Sequence, residues 1–311
     1  MPDRLSRVRR AVSEHPWAVI PETLDIVLEV IERRIFGVDL SAEEKASAVA
    51  AARRVQAPAS APGSIAVIPV FGVMANRMHM FANVSQEGTS TEALTLALRQ
   101  AAADPSVAAI VLDVDSPGGS VFGVQELADA VTAARERKPV VAVANSLAAS
   151  AAYWVASQAD ELVVAPGGQV GSIGVLAVHD DVSKAAELAG VRRTYVTAGK
   201  YKAEGNAYAP LDDEARNQMQ QTVDVYFDRF VRAVAAGRRV SLTAVREQFG
   251  QGRLVVSSDA VARGMADREE TLQQTIDRLV SRQEKASRAP RAVGGMSPVS
   301  ARLRIAELEG A

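Results

Sequence analysis

The sequence predicts an α/β domain with a largely parallel sheet, preceded by a helical N-terminal arm. Three observations lead there. Short runs rich in Val, Ile and Ala recur at 64–70, 108–114, 140–144 and 161–165, with the length and composition of strands buried on both faces. Segments of helical period stand between them, at 123–137 and 150–157. Glycine-bearing turns punctuate the alternation, notably Asp115-Ser-Pro-Gly-Gly119, as in a series of strand-to-helix units.

Taken in order, residues 1–56 read as a separate helical arm. Leu24, Leu28, Ile31 and Ile35 share one helical face and Gly37 stops that helix. Ser41 with Glu44 forms a capping box for a second helix reaching about Val55. Residues 57–63, Ala-Pro-Ala-Ser-Ala-Pro-Gly, are a linker by composition. The core, 64–284, begins with the strand 64–70. Its Gly-rich loop 167–175 leads into a further apolar strand, then a helix near 182–189 and a strand around 194–197. Residues 198–210 are polar and Gly-bearing, hence a loop. Met219, Val223, Phe227 and Phe230 form one stripe of a long helix, 212–236. Helices 257–263 and 271–284 close the core. The tail 285–311, with its prolines, Gly pair and excess Arg, is expected to be disordered apart from a short helix near 300–309.

Composition removes several function classes. Lys and Arg number 35 against 37 Asp and Glu, so nothing points to nucleic acid or an anionic membrane as partner. Cysteine is absent, which rules out a disulfide scaffold, a thiol nucleophile and a Cys-ligated metal. The basic start Met1–Arg10 is followed by Glu14, His15 and Pro16, not by the apolar stretch of a secretory signal. No run reaches the roughly 18 apolar residues of a membrane span. A soluble, cytoplasmic protein without metal or cofactor is expected.

The chemistry concentrates at Ser146-Leu-Ala-Ala-Ser-Ala-Ala-Tyr-Trp154, about thirty residues after the Pro-Gly-Gly turn. Ser150 opens a short apolar helix, whose first N–H groups and positive dipole end suit a developing oxyanion. Glycines at 118 and 119 let the opposing backbone approach a substrate carbonyl. Read alone, Ser150 also fits a plain helix N-cap. A nucleophilic serine needs a base. Among the three histidines, His15 and His79 have no evident partner; His179 precedes Asp180 and Asp181 and reads first as a strand-end residue. The other base open to serine is a neutral lysine, here Lys200 or Lys202. At pH 7 an unperturbed lysine, pKa about 10.4, is neutral only to about 0.04 %. Bringing that pKa to roughly 7–8 takes about 3–5 kcal/mol of desolvation or like-charge pressure. On spacing alone the choice between the lysines, or a solvated charge, stays open.

The stretch from about Ser64 to Asp267 resembles the signal peptide peptidase A (protease IV) family of serine peptidases, a branch of the Clp protease/crotonase superfamily. Val111-Leu-Asp-Val-Asp-Ser-Pro-Gly-Gly119 is similar to the turn that supplies an oxyanion amide. Ala148-Ala-Ser150 followed by Tyr153 resembles the nucleophile turn, and Val170-Gly-Ser-Ile-Gly-Val175 the loop whose serine positions the lysine. Gly199-Lys-Tyr-Lys202 resembles the general-base segment, and Ala260–Asp267 the closing signature. The resemblance implies a spiral of ββα units, Ser150 as nucleophile and Lys202 as base. It further implies Ser172 as lysine-positioning residue and an oxyanion hole from Gly118 or Gly119 with Ala151. It also implies a homo-oligomer in which serine and lysine can come from neighbouring protomers.

Two departures stand out. The usual Gly-Gly after the nucleophile is Ala151-Ala152, and the family's membrane or signal anchor is replaced by the arm 1–56. That arm, with Pro16-Trp-Ala-Val-Ile-Pro21, resembles the cytosolic, bacteriophage-encoded members that process capsid proteins. Expected substrates are then capsid, scaffold or portal proteins. A crotonase-type acyl-CoA enzyme and a non-catalytic capsid-assembly scaffold are the alternatives.

Overall fold

Apolar runs buried on both faces pair in parallel, and here they do so around the site. The structure is a computed structural model and describes residues 16–25, 63–76 and 88–288. The chain enters with β1 (Trp17–Val19), β2 (Ser64–Phe71), β3 (Val73–Ala75) and β4 (Gly88–Ser90), then α1 (Thr91–Ala103). It continues through β5 (Val107–Ser116), β6 (Gly118–Ser120), α2 (Val124–Arg135), β7 (Val140–Ala149) and α3 (Ala151–Ala156). Next come β8 (Glu161–Val164), β9 (Gln169–Gly171), α4 (Ser183–Leu188), α5 (Asp213–Arg238) and α6 (Leu242–Gln248). β10 (Leu254–Val256), α7 (Ser257–Ala262), β11 (Arg268–Glu269) and α8 (Leu272–Arg288) complete it.

The main sheet has β2, β5 and β7 side by side in parallel, with Val67 opposite Val111 and Val111 opposite Val141. The far edge of β7 is shared: residues 141–144 pair with β8 and residues 147–149 with β9, both in parallel. Antiparallel β10 extends β9, and β11 extends β8. A second, small sheet runs β1-β6-β3-β4. Twice the chain passes from a main-sheet strand through the small sheet into a helix, β2-β3-β4-α1 and β5-β6-α2. These are the ββα units that the resemblance implies.

One face of the main sheet carries the larger core, in which Ile110, Leu112, Leu127, Tyr153, Trp154 and Phe230 are all buried. The Trp154 ring stacks on Phe230 with centroids 4.8 Å apart. The opposite face, Val111, Val141, Val143 and Val163, is covered by Leu279 of α8. Pinning the end of α5, Arg238 forms a two-pronged ion pair with Asp267, at 2.7 and 2.8 Å. Asp267 also accepts from the Leu162 amide at 2.7 Å.

Several expectations need correction. Trp17–Val19 is not helical and separate but a strand of the small sheet. No strand forms at 194–197 or directly after 175 among the described residues; the chain there is largely exposed and irregular, and Val196 is 97 % exposed. A Thr-Tyr-Val-Thr segment favours strand locally, but no strand among the described residues pairs with it. The helix α1 was not anticipated, although Ser90 caps it by accepting from Ala93 N, and Leu94, Leu98 and Ala102 form its buried stripe. The capped helix α6 was missed as well. Helices expected within 26–56, the linker 57–62, His15, His79 and the tail from 289 lie outside the described residues.

Candidate active site

The site forms where β5 and β7 end. Parallel strands deliver their C-terminal ends to one edge, so the turn after β5 and the turn after β7 lie side by side. Ser146 lies within β7 and is exposed, whereas Ser150 follows its last residue and is buried, 1 % exposed. The Ser150 backbone takes φ 52° and ψ −118°, outside the regions where residues with a Cβ are at ease. Its amide donates to Gly171 O at 2.7 Å, and its carbonyl accepts the Trp154 amide at 2.9 Å. The turn is thereby fixed from both sides. The hydroxyl donates only a long bond, 3.4 Å, to Gly174 O. Ala151 opens α3 directly after it, so its N–H has no acceptor within the helix.

The Pro-Gly-Gly turn presses against this point. A Cβ at Gly118, where φ is +97°, would come within 3.0 Å of both Ala149 O and Ala151 N and would collide with Ala18 O. A Cβ at Gly119 would overlap the Met74 backbone. Both glycines are therefore required by close approach, as the sequence indicates. Ser116, fully buried, braces the turn: its hydroxyl donates to Gly72 O at 2.6 Å and accepts from the Gly118 amide at 3.2 Å. Ser116 was missed in the sequence, where a serine before proline reads only as a turn residue. The Gly118 amide is thus engaged by Ser116 and Gly119 stands opposite Ala18 in the β1–β6 ladder, whereas the Ala151 amide at the start of α3 has no acceptor within its helix.

Ser172 is buried beside the serine turn, also with positive φ (51°), and its amide donates to Arg253 O at 2.9 Å. The two lysines differ. Lys200 Nζ donates to Tyr201 Oη at 2.8 Å and to Glu214 Oε1 at 2.9 Å. Those two partners, the tyrosine hydroxyl first, hold its pKa above the ordinary lysine value, the wrong direction for a base. Lys202 lies in the turn after Gly199, is exposed, and has no side-chain hydrogen bond to another described residue. Within one chain, Ser150 and Ser172 are brought together and Lys202 stays at the surface. His179 Nε2–H donates to Asn206 O at 3.2 Å. Among the described residues there is no His, Asp or Glu cluster suited to a metal and no helix long and apolar enough to cross a membrane.

Residues 132–286, from the end of α2 into α8, match the profile of peptidase family S49. This stretch contains Ser150, Ser172 and Lys202. Capsid assembly protease C of Escherichia phage lambda is 34 % identical over 231 residues, 74 % of this chain and 52 % of that protein. Head-tail preconnector protein GP5 of Enterobacteria phage P21 is 36 % identical over 184 residues, 58 % of this chain and 36 % of that protein. Protease 4 of Salmonella typhi is 32 % identical over 214 residues, 68 % of this chain and 34 % of that protein. The chain thus spans about half the length of the first relative and about a third of the other two. The serine turn, its glycine partner and the matched stretch agree: this chain carries a peptidase domain of family S49.

Proposed function

We propose that this chain is a serine endopeptidase in which Ser150 is the nucleophile and Lys202 the general base, and that it cuts capsid, scaffold or portal proteins during phage head maturation. The observation that carries the chemistry is the meeting of Gly118 with Ala149 and Ala151 around the buried, positive-φ Ser150. The relatives named as a capsid assembly protease and a head-tail preconnector support the choice of substrate.

Neutral Lys202 removes the Ser150 hydroxyl proton as Oγ attacks the peptide carbonyl carbon. The Ala151 amide and the Gly119 amide, the latter once Ala18 opposite it gives way, receive the oxyanion, each contributing about 3 kcal/mol. Collapse breaks the C–N bond, and the Lys202 ammonium protonates the leaving amine. Water, deprotonated again by Lys202, releases the acyl group as a carboxylic acid and restores the serine. Because Lys202 is exposed in a single chain, this reading requires a homo-oligomer in which a neighbouring copy covers residues 177–210 and dries the lysine. Ser172 then holds the ammonium in line.

The test is turnover of capsid or scaffold peptides by wild type beside Ser150→Ala, Lys202→Ala and Lys200→Ala. Loss in the first two, a fall of roughly 10³-fold or more, with Lys200→Ala active, is expected. Unchanged turnover in Ser150→Ala or Lys202→Ala refutes the dyad.

A further inference from the structure

The strand β1 lies against the edge of the small sheet that a substrate would need. It runs antiparallel to β6, with Ala18 opposite Gly119. Flanking bonds fix the phase of that ladder: the Val121 amide donates to Pro16 O at 3.4 Å and the Ile20 amide to Pro117 O at 3.1 Å. Antiparallel ladders alternate, so Ala18 and Gly119 are the bonded pair between these two. The Ala18 carbonyl therefore rests on an amide that the chemistry assigns to the oxyanion. It also borders the Gly118 space shared by Ala151 N. The other edge of β1 is held too, because Trp17 and Leu176 exchange amide bonds of 2.8 and 2.9 Å. Leu176 lies two residues after Gly174, whose carbonyl meets the Ser150 hydroxyl.

Three residues are thus laid extended between two backbone edges, directly over the serine turn. Trp17, Ala18 and Val19 are 3 %, 0 % and 4 % exposed. Pro16 and Pro21, which have no amide hydrogen, bracket the ladder. This is how a peptide ligand is bound by strand addition, with backbone bonds on both sides and side chains in alternate pockets.

We propose that Trp17–Val19 is a built-in peptide ligand of the peptidase cleft, seated where an extended substrate binds, and that it must leave before substrate enters. The cleft itself then takes an extended segment with a large aromatic, a small and a branched apolar residue in succession. The word substrate rests on the peptidase reading; the occupancy of the slot does not.

The experiment is binding of a fluorescein-labelled peptide copying residues 15–23 to the full-length Ser150→Ala chain, followed by fluorescence anisotropy. Three forms are compared: the Ser150→Ala parent, the same chain with Ala18→Pro, and the same chain with Trp17→Cys and Leu176→Cys. Ala18→Pro removes a ladder donor and should bind the peptide about tenfold or more tightly than the parent, since a closed slot lowers apparent affinity by its open fraction. The cysteine pair, facing each other in a chain with no other cysteine, should bind nothing when oxidised and regain binding on reduction. The reversible pair keeps the test sound if Ala18→Pro fails to fold. Equal affinity in oxidised and reduced forms, or a folded Ala18→Pro chain no better than the parent, overturns the proposal. Since binding is read on a chain lacking Ser150, these outcomes are independent of whether Ser150 hydrolyses peptides.

Discussion

Ser150 holds a backbone conformation that costs about 1–3 kcal/mol for a residue with a side chain. Surrounding bonds to Gly171 and Trp154 keep it there, which points to a position held for its hydroxyl. Ser150→Gly is therefore expected to raise Tm while abolishing peptide turnover, read by thermal melting and hydrolysis assays on one sample. Ser116 acts one step further out. Removing its hydroxyl leaves Gly72 O and the Gly118 amide short of a partner, at about 1–3 kcal/mol. Ser116→Ala should lower kcat about tenfold with little change in KM, because the oxyanion amides shift while the binding edges stay. A fall in Tm with unchanged kcat would make Ser116 structural only. At this scale the sequence was informative where sterics speak: Gly118 and Gly119 were legible because only glycine fits. Ser116 was not, because its role depends on Gly72, far away in the chain.

Among the elements, long strands and helices were legible and short paired ones were not. β2, β5, β7 and β8 follow from their apolar runs. β1 is three residues between prolines inside a stretch whose sequence reads as helical, and its partner β6 makes it a strand. α1 was obscured by its blend of Ala, Leu and Thr, a pattern of weak contrast despite a capped start. The segment 194–197 shows the converse, strand propensity with no strand to join. The joint between α5 and β8 gives a pH prediction. Burial pushes the Asp267 carboxyl up, but the Arg238 guanidinium and the Leu162 amide outweigh it and hold the pKa below the usual value. A depressed carboxylate stabilises the fold at pH above about 4 and loses that contribution as pH falls through the lowered pKa. The stabilisation from this pair should thus be lost only below about pH 4. Asp267→Asn should lower Tm at pH 7, by about 3 kcal/mol of stability for the unpaired buried Arg238, and flatten the acid limb. Parallel acid limbs in the two proteins would contradict this account.

At the scale of the molecule, one chain presents an unfinished surface. Leu188 is 90 % exposed and Tyr201 53 %, and Met219, Val223 and Phe227 on α5 are only half-buried. Lys202 stands in the same region, charged groups and apolar ones together in water. The resemblance implied an oligomer, and the exposed segment 177–210 gives that expectation a location. Specific activity should then rise with protein concentration and track assembly in analytical ultracentrifugation. Full specific activity in a demonstrably monomeric sample would contradict it. No feature of a single sequence states which surfaces meet, so the proposed pairing of Ser150 with Lys202 rests on the resemblance and carries no geometry of its own.

Labelling with a fluorophosphonate, followed by peptide mapping of the modified residue, tests whether Ser150 is a nucleophile activated by Lys202. In the assembled protein, modification should fall on Ser150 alone, vanish in Ser150→Ala, drop sharply in Lys202→Ala and persist in Lys200→Ala. Modification at another residue, or undiminished labelling of Ser150 once Lys202 is replaced, would contradict it.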